Sequence, residues 1–385
     1  MTVALVVPSL PKYSETFLTN KIQGLLDSGI EVILMVVGVS DKRKMPVPVY
    51  YQPILASKGF KRWIYTFWLI IVSLVTHPVR SLRLLKKASK DYRGFGQWRM
   101  LAVLSNFLKI SPDWIHFSYA TMAVERAFIG SVLNAKIGVS FRGYDISIAP
   151  LLRPNMYNAV WPYVNKVHSI SNDLIKIAHD NGMPNDLPYE IIHPAIDNSK
   201  FICQKERTWN SIPHFLTVAR LHWKKGIEYT LQALSLLNRD FVYTIIGEGP
   251  EKERLVFAAH QLGISEKVFF LGRKPQEEIN LHMASHDIYL QYSIQEGFCN
   301  AVLEAQSAGM LCVVSDAEGL SENVLNSQTG WVVPRRSAVL LSKQIDEVLE
   351  TSMKKKAQTS VNAKERVRSL FDIKTQNRYF YNFFN

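Results

Sequence analysis

Short apolar runs alternate with helix-length stretches along the chain, and they do so in two successive series, which restricts the fold to layered α/β arrangements with parallel strands. Val3 to Val7 reads as a buried strand and Ser14 as a helix cap. Phe17, Ile22, Leu25 and Leu26 then recur at helical spacing before Gly29 ends the helix. Ile30 to Val37 is nearly continuous in apolar residues, as strands covered on both faces are. Further strands are expected at Trp114 to Phe117, Ile137 to Phe141, Val167 to Ile170 and Tyr189 to Ile192. The polar, aperiodic stretch Asp197 to Ser211 reads as a linker. The second series follows it, with strands expected at Phe215 to Val218, Val242 to Ile246, Val268 to Leu271, Ile288 to Gln291 and Cys312 to Ser315. The pattern predicts a doubly wound domain over 1–195, a linker over 196–212 and a second such domain over 213–370. With 385 residues, 47% of them hydrophobic, the chain can fill two cores. Ligands of such sheets bind outside the carboxyl ends of the strands, so the loops there are where chemistry is sought.

Two loops stand out. Glu296, Gly297, Phe298, Cys299 and Asn300 follow the strand ending near Gln291, and Glu304 lies eight residues beyond Glu296. A helix starting near Asn300 puts Glu304 one turn inside it and leaves Glu296 on the loop, so that both face one ligand at the helix start. The N–H groups of Gly297 to Ala301 would then meet an anion such as a phosphate. Paired glutamates near a helix start also serve as plain capping and solvated surface. In the second loop, Arg220 leaves the carboxyl end of a strand and Lys225 stands at the next helix start, where a cation opposes the macrodipole unless an anion is bound. Arg and Lys together can neutralise a diphosphate leaving group. An ordinary surface pair is the competing reading.

Taken together, Arg220 with Lys225-Gly226, Ile246-Gly247-Glu248-Gly249-Pro250, Phe270-Leu271-Gly272, Glu296-Gly297-Phe298 with Glu304, and Thr329-Gly330-Trp331-Val332-Val333 resemble glycosyltransferase family 4, the group 1 glycosyltransferases. In the first half, Pro11 to Phe17, Ile115-His116-Phe117 and Ser140-Phe141-Arg142-Gly143-Tyr144-Asp145 resemble a branch that builds colanic-acid-type exopolysaccharides and capsules. Ser9-Leu10-Pro11 replaces that family's paired glycines, and Arg142 replaces its usual histidine. The resemblance implies the GT-B fold, two facing Rossmann-like domains with a C-terminal helix over 371–385 crossing back to the first. It further implies a retaining hexosyl transfer from a nucleotide diphosphate-sugar to a saccharide or lipid-linked saccharide, with no cofactor. Arg220 and Lys225 would bind the diphosphate, Glu304 the ribose hydroxyls and Glu296 the transferred sugar. Gly297, Phe298 and Asn300 would offer backbone amides, and Gly247, Arg273 and Arg142 complete the donor set. His116 would orient the acceptor or assist proton transfer, and Glu15 and Asp145 would line the acceptor side. Each of these last three also has a packing or capping explanation, as has Glu322. No Asp-x-Asp triplet occurs, so metal-independent transfer is expected. A sugar-nucleotide epimerase or phosphorylase, and a membrane-bound sensor that binds donor without turnover, are the alternatives.

The net charge of +12 is unevenly distributed, with 22 Lys and Arg against 12 Asp and Glu in residues 1–195. Within 58–109 lie Lys58, Lys61, Arg62, Arg80, Arg83, Lys86, Lys87, Lys90, Arg93, Arg99 and Lys109 against Asp91 alone, interleaved with aromatic residues. The most apolar piece, Trp63 to Val75, would span about 20 Å as a helix, short of the roughly 30 Å hydrocarbon core. An anionic membrane surface is therefore the expected partner, with solvated core helices as the alternative. Nucleic acid is not expected, because no nucleic-acid module is present. Cys203, Cys299 and Cys312 show no pairing or metal-ligand spacing and read as free thiols of a reducing compartment. The N-terminus lacks the features of a signal peptide. A cytoplasmic protein, peripheral at the inner face of the cell membrane, is the expected setting.

Overall fold

The computed structural model describes residues 1–11, 16–38, 43–55, 60–90, 92–201 and 209–385. Ser14, Glu15, Lys58, Asp91, Cys203, the side chains of Lys61 and Arg62, and the middle of the expected linker lie outside the described residues.

The chain divides into two compact units. The first comprises Met1–Ser169, Leu174–Ile192 and Asn377–Asn385, and the second comprises Ile170–Asp173 and His193–Gln376. In the first unit, seven strands, β1 (Thr2–Val7), β2 (Glu31–Val36), β3 (Val49–Tyr51), β4 (Trp114–Phe117), β5 (Lys136–Phe141), β6 (Lys166–Ser169) and β7 (Tyr189–Ile191), pair in the order β3-β2-β1-β4-β5-β6-β7. In the second, β8 (His214–Val218), β9 (Val242–Ile246), β10 (Val268–Phe270), β11 (Ile288–Gln291), β12 (Leu311–Ser315) and β13 (Trp331–Val333) pair in the order β10-β9-β8-β11-β12-β13. Every pairing is parallel, from Val3 opposite Val32 in the first sheet to Val313 opposite Trp331 in the second. Parallel strands need long crossovers, and helices supply them.

Each unit fills its own core. Val3, Leu5, Val7, Ile22, Leu25, Val32 and Leu34 pack in the first, joined by Phe380, Phe383 and Phe384 of the terminal helix Ile373–Phe384. Trp114 Nε1 donates to the Phe384 carbonyl at 2.8 Å, which fixes that end of the chain in the first unit. Leu231, Leu234, Tyr243, Ile245, Leu290, Val313 and Ile345 pack in the second. The strands β3 and β13 are three-residue edge strands with too few residues for periodicity to reveal.

Candidate functional site

The order of the second sheet reverses between β8 and β11, so the loops leaving their carboxyl ends diverge and open a crevice. Those loops carry Arg220 and Lys225 on one side and Glu296 to Asn300 on the other. They are laced together by backbone, with Ile294 N–H donating to the Lys224 carbonyl at 2.7 Å. Gly226 allows this approach. It adopts φ +59°, and a Cβ there would stand 2.0 Å from the Tyr292 carbonyl oxygen, so no other residue fits. Lys225 lies in a 3₁₀ turn, Trp223–Lys225, two residues before the helix Ile227–Ser235, so the expectation of a cation at the helix start itself is corrected by the intervening left-handed glycine.

The Lys225 ammonium forms an ion pair with Glu296, and both side chains are largely buried. Burial pulls the Lys225 pKa down, but the Glu296 carboxylate outweighs it and holds the amine above its ordinary value, so the lysine is a cation. Glu296 is in turn held from below. Ser293 Oγ donates to its carboxylate at 3.3 Å, Gln291 Nε2 donates to Ser293 Oγ at 2.9 Å, and Tyr289 Oη donates to Gln291 Oε1 at 3.1 Å. Tyr289, Gln291 and Ser293 are all buried, and such groups belong in a core only when their polar atoms find partners. Their chain ends on the carboxylate and gives it one orientation.

The helix Asn300–Ser307 begins at the crevice. Asn323 clamps its cap residue, accepting from Cys299 N–H at 3.0 Å and donating to the Cys299 carbonyl at 3.1 Å. Arg366 holds the clamp through the carbonyls of Glu322 and Asn323 at 2.7 and 2.8 Å. The expectation that every amide from Gly297 to Ala301 is open to an anion is therefore corrected at Cys299, whose N–H is occupied by Asn323. Phe298 anchors the loop with its ring, which is buried, stacked on His193 and packed against Phe371. Burial, together with the nearby Glu296 charge, pushes the Cys299 thiol up to about 12, so it is not a nucleophile. Cys299 and Cys312 are both free and buried.

Glu304 sits one turn into the helix. Burial raises its carboxyl from 4.5 to about 7 against the opposing hydrogen bond from Gln276. Arg220 is exposed at the end of β8 and makes no hydrogen bond or ion pair among the described residues. Arg273 is exposed just beyond β10, at the edge of the sheet and two strands from β8. Gly247 has a structural task. Its N–H donates to the Gly272 carbonyl at 2.8 Å, and a Cβ there would fall 1.9 Å from the Ala219 carbonyl oxygen, so its amide does not face a donor.

In the first unit the expected acceptor residues are placed differently. His116 is fully buried at β4, with Nε2 2.6 Å from Ser140 Oγ and 3.1 Å from Lys21 Nζ, and with the rings of Phe383 and Phe384 against it. Burial, then the Lys21 charge, lowers its pKa well below 6.5. No acceptor hydroxyl reaches such a position, so contact between His116 and substrate is corrected to a packing role for a neutral imidazole. The network continues from Ser140 Oγ to His168 Nδ1 at 2.8 Å, and His168 Nε2 donates to the Ile192 carbonyl. Lys21 belongs to it as a buried amine whose pKa burial lowers well below 10.5.

Asp145 is likewise buried. Its Oδ1 accepts from the Thr121 amide and hydroxyl at 3.2 and 2.9 Å, tying the helix after β5 to the loop after β4, and burial raises its carboxyl to about 6. That is a structural bond and not an acceptor contact. Arg142 stacks over the Phe17 ring at 3.5 Å and its Nε donates to the Ser118 carbonyl. Glu322, in the second unit, caps a helix start by accepting from the amides of Asn172 and Asp173 at 3.0 and 3.1 Å. Sequence reasoning missed Asn323, Gln291, Ser293 and Lys21. A signal existed for Gln291 and Ser293, polar side chains on alternate positions at the end of an otherwise apolar strand.

Two α/β units, each built on an all-parallel sheet, define a fold of the GT-B type. The solved structure of Anabaena HepE, in complex with UDP and glucose, aligns with 99% of this chain and 98% of its own at a TM-score of 0.72 and 17% identity. Residues 201–366 match the model of the glycosyl transferases group 1 family. That match lies within the second unit, which is similar to the group 1 glycosyltransferase domain, and it supports a transferase activity for the chain. The Escherichia coli K12 protein WcaL, assigned to colanic acid biosynthesis as a glycosyltransferase, is 24% identical over 411 aligned residues covering 98% of each chain. The amylovoran biosynthesis glycosyltransferase AmsK of Erwinia amylovora is 24% identical over 368 aligned residues covering 89% of each.

Proposed function

We propose that the chain is a retaining, metal-independent glycosyltransferase that moves a hexose-type sugar from a nucleotide diphosphate-sugar to a lipid-linked saccharide, in exopolysaccharide synthesis at the inner face of the cell membrane. The observation that carries this reading is the convergence of Arg220, the Lys225–Glu296 pair and the start of the Asn300–Ser307 helix at the β8/β11 reversal. The names of WcaL and AmsK support the polymer class, and the ligands of HepE support a nucleoside diphosphate donor.

In the reaction the bond from the anomeric carbon to the diphosphate oxygen breaks, and the acceptor hydroxyl forms its bond on the same face. The hydroxyl proton passes to an oxygen of the departing diphosphate. Negative charge gathers on that leaving group, which Arg220, cationic Lys225 and the helix N-terminus stabilise. Glu296, fixed by Ser293, accepts from hydroxyls of the transferred sugar, and Glu304 accepts from the ribose.

The test is sugar transfer by Glu296→Ala and Glu304→Ala variants, with near-ultraviolet circular dichroism as the check on folding. Each variant is expected to retain its fold and to lose at least about 100-fold in turnover, the scale of one preorganised electrostatic group. Wild-type turnover in both refutes the site.

A further inference from the structure

The helix Phe60–Thr76 in the first unit is more apolar on its outside than on its inside. Among its described side chains the buried ones are Thr66, Leu69, Ile70 and Ser73, two of them hydroxylated. Its exposed positions include Trp63, Ile64, Phe67, Trp68, Ile71 and Val75, with Ile71 58% and Val75 75% accessible. At 3.6 residues per turn these six fall within an arc of about 140°. An amphipathic helix of a water-soluble domain shows the opposite arrangement.

The face continues beyond that helix. The helix Pro78–Ala88 starts after one intervening residue, His77, and exposes Val79 and Leu82 on its first turns. Phe95 adds a further exposed ring, 4.9 Å from that of Trp63 and 6.1 Å from that of Phe67. On the helix Pro78–Ala88, Arg83 and Lys86 are exposed, as is Lys90 two residues beyond its end. No Asp or Glu stands among the described residues from 60 to 109.

Two features choose the occupant. Contiguous exposed apolar surface needs an apolar partner. Charge then selects among apolar partners, because a second copy of this chain would bring Arg83, Lys86 and Lys90 against their own like charges, whereas anionic lipid phosphates complement them. Tryptophan beside aliphatic side chains also suits the boundary between headgroups and acyl chains. No helix among the described residues is long and apolar enough to cross a membrane.

We propose that the helix Phe60–Thr76 lies flat in the surface of an anionic bilayer, with Trp63, Phe67, Trp68, Ile71 and Val75 in the acyl boundary and Arg83, Lys86 and Lys90 on lipid phosphates. The inference extends the reading of a lipid-linked acceptor by naming the element that meets the membrane. It does not require that reading to be tested, because vesicle binding involves neither donor nor acceptor.

Flotation of the full chain with vesicles decides it, using phosphatidylcholine alone or with phosphatidylglycerol as three lipids in ten. Wild type should float with the anionic vesicles and show a blue shift of tryptophan emission. Each removed charge should weaken binding about fivefold, so Arg83→Gln, Lys86→Gln and Lys90→Gln together should weaken it about 100-fold. Ile71→Glu should abolish flotation with circular dichroism unchanged, while Leu281→Glu, at an exposed apolar position of the second unit, should float as wild type does. Equal flotation of wild type and Ile71→Glu overturns the proposal, as does failure of wild type to float. A dimer that Ile71→Glu converts to a monomer, with no vesicle binding by either protein, overturns it in favour of a second copy as the occupant.

Discussion

Glu304 is a half-buried carboxyl whose proposed contact with the donor requires its charge, and stability measurements can read whether it carries one. Its carboxyl is raised from 4.5 to about 7 by burial, so between these values the unfolded chain ionises while the folded protein keeps its proton. The folded state binds more protons in that window, and its stability therefore falls as pH rises from about 4.5 to about 7 and levels off above. The full loss is about 3 kcal/mol for a displacement of this size. Glu304→Gln keeps the shape and removes the titration, so its stability relative to wild type should be flat below pH 4.5, climb through the window and reach a plateau near pH 7.5. For a unit of this size about 3 kcal/mol corresponds to a rise of roughly 6–12 °C in the melting temperature. Scanning calorimetry of both proteins from pH 4.5 to pH 8.5, following the transition of the second unit, supplies the comparison. The other shifted groups, Asp145 and His286 among them, are common to both proteins and cancel in the difference. Two melting curves that stay parallel across the whole range would show that Glu304 is not held in its protonated form. Donor binding should move the other way, with Glu304→Gln losing affinity most above pH 7, where wild type offers a carboxylate to the ribose.

The Lys225–Glu296 pair is largely shielded from solvent, so Lys225→Met alone and Glu296→Gln alone should each destabilise the second unit by about 2–4 kcal/mol, and the double variant by less than their sum, as measured by thermal unfolding. Asn323→Ala leaves a buried N–H and a buried carbonyl of Cys299 without partners, which should cost about 2–4 kcal/mol and raise the donor KM. Asn323→Asp should fail to restore it, since a carboxylate cannot donate to that carbonyl. Ser293→Ala should lower kcat while leaving the donor KM near wild type, because Glu296 loses the hydroxyl that orients it. Ser293→Thr keeps the hydroxyl and should recover kcat.

How much the sequence revealed depended on whether the deciding contact was local. Val242 to Ile246 and Trp114 to Phe117 emerge as strands at the expected bounds, because a short, mostly apolar and β-branched or aromatic run between helix-length stretches admits few other readings. The helix start at Asn300 was legible for a similar reason, and so was the helical packing of the terminal aromatic run. Positions fixed by distant partners were not. Lys225 and Glu296 are 71 residues apart, and nothing in either loop announces that they pair. His116 and Asp145 follow the pattern of polar residues at strand ends, where solvent is the default. The covering of His116 by Phe383 and Phe384 depends on a segment more than 260 residues away in sequence. Asn323 lies in a stretch whose only visible features are a glycine and a glutamate, and its clamp on Cys299 becomes apparent only once β11 and β12 are paired.

A thermal-shift comparison of wild type with Arg220→Ala across UDP-, GDP-, ADP- and CMP-sugars, with and without EDTA, tests whether the crevice of the second unit binds nucleotide sugars. A ligand that binds only the folded state at 100 times its Kd stabilises it by about 2.7 kcal/mol. One nucleotide diphosphate-sugar should raise the melting temperature of wild type, equally in EDTA, and Arg220→Ala should lose most of that rise. A rise that disappears in EDTA, a rise undiminished in Arg220→Ala, or no rise with any of the four would contradict the assignment.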